Sequence, residues 1–322
     1  MRNRVFLYPG QGSQAVGMGV AVADAYPEAA DVFHRASDMA GYDILRLCAD
    51  GPMEKLSRTL FTQPALFTVE AAITEALVRR GVKPSAAAGH SLGEYGAWYA
   101  AGAFTFEDGF GIVTERARLM DSADPEGKGT MAAVIGLSEQ AVLEACEEVS
   151  VTVSNPDICR AHIGNPVVVA NLNSPLQTVI SGERDAVGRA GEILRERGAK
   201  RVIPLPVSGA FHSPLMQRAG EEFAAVVEKA RIIDAEIPVY ANVTARPVTA
   251  AADIRRLMAC QITSPVRWTD TVRNMAEDGF GAGYEIGPGN ILAGLAKRTL
   301  EMFDVRPVSE PAHISEAVDE SV

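Results

Sequence analysis

Gly89-His90-Ser91-Leu92-Gly93-Glu94-Tyr95 sets a serine between two glycines, directly after the apolar, alanine-rich run at 85–89. A polar residue that follows a short buried strand so closely requires a sharp turn into a helix, and this constrains the fold more than any other feature of the chain. In such an elbow the serine is strained and its hydroxyl is pushed outward. The glycines leave room where a Cβ would clash, and the backbone N–H of Leu92 can face an oxyanion. The chemistry this serves is covalent acyl transfer through Ser91. An ordinary glycine-flanked helix start with Ser91 as its N-cap has the same letters, so the surrounding pattern decides.

That pattern is strand, turn, helix. Residues 5–8 read as a buried strand ending at Pro9-Gly10. The loop Gly10-Gln11-Gly12-Ser13-Gln14 feeds a helix near 16–25, and helical periodicity returns over 65–80, where Leu66, Val69, Ala72, Ile73 and Leu77 share a face. Helices are predicted over 92–101 and 106–120, the second with Phe110, Val113, Ala117 and Met120 on one side. This rhythm implies a parallel-sheet α/β core. The middle of the chain differs: a strand at 129–136, a helix at 138–149 opened by Ser138, strands at 167–172 and 178–181, a helix at 184–197 closed by Gly198, and a strand at 199–205. The order β-α-β-β-α-β is the split unit of a ferredoxin-like domain. The expected organisation is a large, parallel, α/β hydrolase-like core at 1–128 and 207–308 with an inserted ferredoxin-like subdomain at 129–206. Residues 150–162 fit no periodicity and read as a surface excursion. The acidic, proline-interrupted stretch 309–322 reads as a flexible tail.

With 322 residues, core and insert can each bury an interior. A formal charge of -11 argues against a general nucleic-acid binder. No apolar run approaches the roughly 18 residues that span a bilayer, and Pro9 and Gly10 break the first apolar run too early for a signal peptide, so a monomeric cytoplasmic protein is expected. Cys48, Cys146, Cys159 and Cys260 form no C-x-x-C pair, and His34, His90, His162, His212 and His313 lack ligand spacing. Free buried thiols are therefore expected, with no metal and no disulfide framework. Gly10 to Ala15 fits the G-x-G-x-x-A dinucleotide fingerprint, but no acidic partner is clearly placed at the end of a second strand, so nucleotide binding is not expected.

A serine nucleophile needs a base within hydrogen-bond reach. His212, in Gly209-Ala210-Phe211-His212-Ser213-Pro214, follows the strand expected to re-enter the core and sits in a loop of small residues that can present its imidazole to the elbow. A hydrolase order of serine, acid and late histidine would instead have to use His313.

Seven blocks occur in an order that resembles the malonyl-CoA:acyl carrier protein transacylase family, including the free-standing acyltransferases of polyketide synthesis. They are Gly10-Gln11-Gly12-Ser13-Gln14, Thr62-Gln63-Pro64-Ala65-Leu66, the Ser91 elbow, Arg116-Ala117-Arg118-Leu119-Met120, Ala210-Phe211-His212-Ser213, Gln261 ahead of Pro265-Val266-Arg267-Trp268, and Gly287-Pro288-Gly289-Asn290-Ile291-Leu292. The resemblance covers 5–298. It implies that Ser91 attacks a thioester, that His212 carries the proton, that the N–H groups of Gln11 and Leu92 form an oxyanion hole, and that a main-chain carbonyl at Gln261 orients the histidine. It also implies that Arg116 binds a malonyl carboxylate in the bidentate manner open to a guanidinium. Phe211 would crowd a 2-methyl group, and Gln63, His90 and Asn242 would contact the acyl group or hold the pocket. Malonyl-CoA and an acyl carrier protein are the implied partners, with the coenzyme A thioester a substrate and no cofactor permanently bound. Arg195, Arg197, Lys200 and Arg201, or Lys297 and Arg298, are candidate docking groups. Glu94 reads as a charge favoured at a helix N-terminus. The alternatives are a transferase for another acyl unit, a proofreading hydrolase or thioesterase of the same fold, and a non-catalytic carrier-binding scaffold.

Overall fold

A computed structural model describes residues 4–150 and 165–321. These residues form ten strands: β1 (Arg4–Tyr8), β2 (Ala86–Gly89), β3 (Gly129–Ile135), β4 (Val167–Ser174), β5 (Gln177–Glu183), β6 (Arg201–Pro204), β7 (Val239–Tyr240), β8 (Pro247–Val248), β9 (Ala282–Ile286) and β10 (Asp304–Val308). Six of them make the core sheet, in the order β10-β9-β1-β2-β7-β8. Its pairings are parallel except at the β8 edge. Helices cover both faces, so the central strands read as unbroken apolar runs: Val5, Phe6, Leu7, Tyr8, Ala86, Ala87 and Ala88 are all 0% exposed. In the β1–β2 register Tyr8 lies opposite Gly89. The Pro9-Gly10-Gln11 turn and the serine elbow therefore leave the sheet side by side, at the carboxyl ends of parallel strands, where α/β sheets place their sites.

The other four strands form a separate antiparallel sheet, β4-β5-β3-β6. The helices Glu139–Val149 and Arg184–Glu196 cover one of its faces, packing Val142, Ala145, Cys146, Val187, Ala190 and Leu194 against Val134, Val167, Val169 and Ile180. Ser138 caps the first of these helices by accepting from the Ala141 N–H, as its sequence position predicts. Backbone bonds from Leu172 to Val266 and from Val266 to Ala170, each 2.9 Å, tie β4 to the core. Of the expected excursion at 150–162, all but Ser150 lies outside the described residues.

Two expectations are corrected. The stretch expected to be a flexible tail holds a helix, Pro311–Asp319, with Ile314 at 0% and Ala317 at 2% exposure in the main core cluster. Pro311 stands in the first turn of that helix, where its missing N–H costs nothing, so it starts an element instead of interrupting one. Glu320 then reaches back to Arg4, Arg306 and Tyr284. The cysteines also divide: Cys48 and Cys146 are free and buried, whereas Cys260 is disulfide-bonded, against the expectation of free thiols. The helix predicted from 65 starts earlier, at Thr59, and runs through Pro64 to Arg79.

Because Ile314 is enclosed, Ile314→Ala should destabilise the protein by about 2–5 kcal/mol in urea unfolding. A flexible tail would leave the midpoint unchanged.

Candidate active site

Ser91, at φ 53, and His212, at φ 57, are two of only three non-glycine residues with positive φ among the described residues. Left-handed backbone is costly for such side chains and persists where the surroundings over-determine it. At the elbow the restraints are visible. A Cβ on Gly93 would stand 2.0 Å from the Tyr8 carbonyl oxygen and one on Gly89 1.9 Å from the Gly93 carbonyl carbon, so strand and helix meet at distances only glycine allows. The Asn242 side chain, just past β7, accepts from the Ser91 N–H at 2.7 Å and donates to the Gly89 carbonyl at 2.6 Å. Gly10 lies flush against the elbow, where a Cβ would be 2.3 Å from the His90 oxygen. Leu92, directly after the serine, is the N-cap of the helix Gly93–Ala100, whose first N–H groups bond back to the elbow carbonyls of His90, Ser91 and Leu92.

The two ends of the imidazole have different partners. His212 Nδ1 lies 3.0 Å from the main-chain oxygens of both Gln261 and Ser264, which can only accept, so it carries the proton. Nε2 is left as an acceptor, 2.8 Å from Ser91 Oγ. No carboxylate is needed to fix this tautomer. Burial, and next the positive charge of Arg116, push the imidazole down to about 3, so it is an uncharged base at neutral pH.

Arg116 comes from the middle of the helix Phe106–Asp121 and is 1% exposed. Its guanidinium donates to Gln63 Oε1 at 2.7 Å, to Gln261 Oε1 at 3.0 Å and to Ser91 Oγ at 3.1 Å, and it lies 5.2 Å from the centre of the Tyr95 ring. Among the described residues no carboxylate forms a salt bridge with it, and neither its Nε nor the Tyr95 hydroxyl has a well-formed hydrogen bond. The result is a buried cation touching the serine oxygen, with no salt-bridging carboxylate among the described residues. Such a group suits an incoming anion.

Ser91, His212, Arg116, Gln63 and Gln261 thus converge, although they are far apart in the chain. Phe211, next to the histidine, is 6% exposed and packs into the core cluster. His90 sits beside the elbow with its Nε2 2.8 Å from Asn173 on β4, which joins the elbow to the antiparallel sheet. His313 is elsewhere, accepting from the Ser309 N–H in the C-terminal helix. Of the candidate docking groups, Arg197 is paired with Glu148 at 2.6 Å, while Lys297 and Arg298 border a surface cavity of about 760 Å³ beside β10.

Two contributions are missed by sequence patterns, and a third is made specific. Asn242, expected to contact the acyl group or hold the pocket, clamps the elbow from the carboxyl end of a core strand. Gln261 acts through its side chain as well, donating from Nε2 to the Ser91 carbonyl at 2.9 Å. Glu94 stands in the first turn of its helix, as expected, but is 0% exposed, accepting from the Asn242 N–H at 2.7 Å and Trp98 Nε1 at 3.2 Å.

The acyl transferase domain family matches residues 5–314. The malonyl CoA-acyl carrier protein transacylase of Haemophilus influenzae is 41% identical over 322 residues, 99% of each chain, and that of Escherichia coli K12 is 40% identical over 320 residues, 99% of this chain and all of the other. Among solved structures, the malonyl CoA-acyl carrier protein transacylase of Coxiella burnetii superposes with a TM-score of 0.92 at 38% identity, covering 99% of this chain and 97% of that one. A malonyl-transacylase in complex with a type II PKS acyl-carrier protein does so with 0.91 at 40%, covering 98% and 99%.

Two outcomes follow from the geometry. Because His212 is uncharged above about pH 3, the rate of Ser91 acylation by an activated ester should show no acid limb near the ordinary histidine value of about 6.5. A limb there would mean the imidazole is far less perturbed. Asn242→Ala should slow that acylation by about tenfold or more, since a misplaced nucleophile forfeits orientation, and lower stability by about 1–3 kcal/mol by orphaning buried polar groups. Unchanged rates would refute the clamp.

Proposed function

The chain belongs to the acyl transferase family, and on that footing we propose that it moves a malonyl group from coenzyme A to the phosphopantetheine thiol of an acyl carrier protein through an ester on Ser91. The observation that carries this reading is Ser91 Oγ standing 2.8 Å from His212 Nε2 and 3.1 Å from the buried guanidinium of Arg116. The end-to-end likeness to malonyl CoA-acyl carrier protein transacylases supports the substrate pair.

Ser91 Oγ attacks the thioester carbonyl while its proton passes to His212 Nε2. The N–H groups of Gln11 and Leu92 hold the resulting oxyanion, each contributing about 3–4 kcal/mol. The carbon–sulfur bond breaks, and the imidazolium returns the proton to the coenzyme A sulfur. In the second half the carrier thiol gives its proton to His212 and attacks the ester carbonyl, and the Ser91 oxygen leaves with that proton. Each step uses groups of the chain itself, with the coenzyme A thioester entering as substrate and no metal or cofactor.

Arg116 selects the acyl group. A malonyl carboxylate meets the guanidinium in charge-assisted hydrogen bonds, and in doing so cancels the second cause of the low His212 basicity, so a carboxylated donor improves its own base. Phe211 beside the histidine favours malonyl over a 2-methyl homologue. Gln63 and Gln261 hold Arg116, and His90 braces the elbow against the antiparallel sheet. The parallel core and the strand order β4-β5-β3-β6 support a hydrolase-like core with a ferredoxin-like insert, the cleft lying between them. Among the described residues no helix is long and apolar enough to cross a membrane, and we take the enzyme to work in the cytoplasm as a monomer. A proofreading hydrolase is disfavoured by Arg116, which would have no carboxylate to bind on a simple acyl chain.

Intact-protein mass spectrometry after exposure to malonyl-CoA or acetyl-CoA tests this. Arg116→Ala should load malonyl about 10²–10³-fold more slowly while acetyl loading holds or rises, the loss expected for two charge-assisted hydrogen bonds. An unchanged preference would remove the carboxylate clamp.

A further inference from the structure

Ala245, at φ 55, is the third non-glycine residue with left-handed backbone among the described residues, and unlike Ser91 and His212 it has no part in the steps above. It lies in a tight turn between β7 and β8. There its N–H donates to the Ala241 carbonyl at 2.7 Å, and the Ala241 N–H donates to the Arg246 carbonyl at 3.1 Å. Asn242, which clamps the elbow, lies inside that turn. Left-handed backbone costs an alanine steric energy that a glycine escapes, so the conformation persists only where the surroundings hold it. Those surroundings are the helix Trp268–Glu277. Asn274 Nδ2 donates to the Ala245 carbonyl at 2.7 Å, and the N–H of Arg267, the helix N-cap, donates to the Asn242 carbonyl at 3.1 Å. Arg267 and Asn274 stand about two helical turns apart, so one helix grips the turn at two points. We propose that Asn274 is a positioning residue for the nucleophile: by holding Ala245 left-handed it sets the direction of the Asn242 side chain and, through it, the place of Ser91 Oγ.

This role rests on the reading of Ser91 as the acylated residue. Ala245 is 1% exposed, so water has little access to its carbonyl to stand in for the Asn274 amide. Without that amide Ala245 is free to relax to ordinary φ, which turns the backbone after Thr244 and tilts Asn242 against the elbow. The bonds at stake, 2.7 Å from the Ser91 N–H and 2.6 Å to the Gly89 carbonyl, leave hydrogen-bond range after a shift of about 1 Å. The Asn242 main chain is held from the opposite side by its N–H to Glu94 Oε2 at 2.7 Å, so relaxation at Ala245 rotates the residue about that point instead of releasing the whole segment. Placement of the serine serves every acyl donor alike. Losing Asn274 should therefore slow malonyl and acetyl loading by the same factor, whereas losing Arg116 separates the two donors.

Rapid mixing of full-length enzyme with excess malonyl-CoA or acetyl-CoA, read by intact-protein mass spectrometry, separates placement from folding. The final acylated fraction counts competent sites, and the rate constant reports attack by Ser91. Asparagine is a weak helix former and alanine the best, so Asn274→Ala leaves its own helix intact. It should keep the full acylated fraction while the rate constant falls about three- to tenfold with both donors, the range of one hydrogen bond. Adding Ala245→Gly should restore most of that rate, because glycine holds left-handed backbone unaided. In an Asn242→Ala background, Asn274→Ala should slow the reaction no further. An unchanged rate constant, a loss confined to the acylated fraction, no recovery with Ala245→Gly, or full slowing on top of Asn242→Ala overturns the inference. If Asn274→Ala does not fold, Asn274→Ser, whose hydroxyl is too short to reach the Ala245 oxygen, is read against the same results. The two readings fail separately. Wild-type enzyme that carries no ester on Ser91 sinks both, whereas an ester whose formation Asn274→Ala does not slow sinks only the role of Asn274.

Discussion

The pair of hydrogen bonds by which the Asn242 side chain accepts from the Ser91 N–H and donates to the Gly89 carbonyl fixes everything else in the site. They hold the nucleophile in left-handed backbone at the one point where β1, β2 and the segment after β7 come together. If the serine relaxed to ordinary φ, its hydroxyl would leave both the imidazole and the guanidinium. Strain of a few kcal/mol is sustained there because glycine contacts at Gly89 and Gly93 leave the chain no alternative path. His212 carries a second left-handed residue into the same place, held by its N–H to the Ile262 carbonyl at 3.1 Å. The two reacting groups are thus set by backbone, with few side-chain rotamers left to chance.

Around this frame the charges are arranged with little screening. One cation, one uncharged imidazole and one carboxyl of raised pKa lie in desolvated surroundings, where burial is the largest influence on each and the charge of Arg116 further lowers the basicity of the imidazole. Such an arrangement is poor for stability and well suited to an anionic substrate, because the incoming charge relieves both the guanidinium and the base. The same feature explains why amides recur: Gln63, Gln261 and Asn242 satisfy buried groups without adding charge.

Much of this was legible in the chain. The serine elbow, the strand–helix rhythm and the split βαββαβ order follow from glycine spacing and hydrophobic period, and the structure contains the matching elements within a few residues. Ser91 and His212 were readable because their local motifs are distinctive. Asn242 was legible only as a residue that contacts the acyl group or holds the pocket, and its grip on the elbow and the burial of Glu94 were not, since each depends on contacts about 150 residues away in sequence. Glu94 sits where a helix-dipole charge would, and only the packing of the Asn242 segment over it shows that water is excluded. The C-terminal helix was missed because small and acidic residues mask two buried side chains, Ile314 and Ala317, and because Pro311 reads as a break.

The central claim is that one hydroxyl becomes an ester before any carrier arrives. Rapid mixing of the enzyme with excess malonyl-CoA alone, followed by thiol detection and peptide mapping, tests it most directly. The account predicts a burst of one equivalent of free coenzyme A per enzyme, then a slow phase, with the malonyl group on the peptide containing Ser91. Release with no burst, or an acyl group on a different residue, would contradict it.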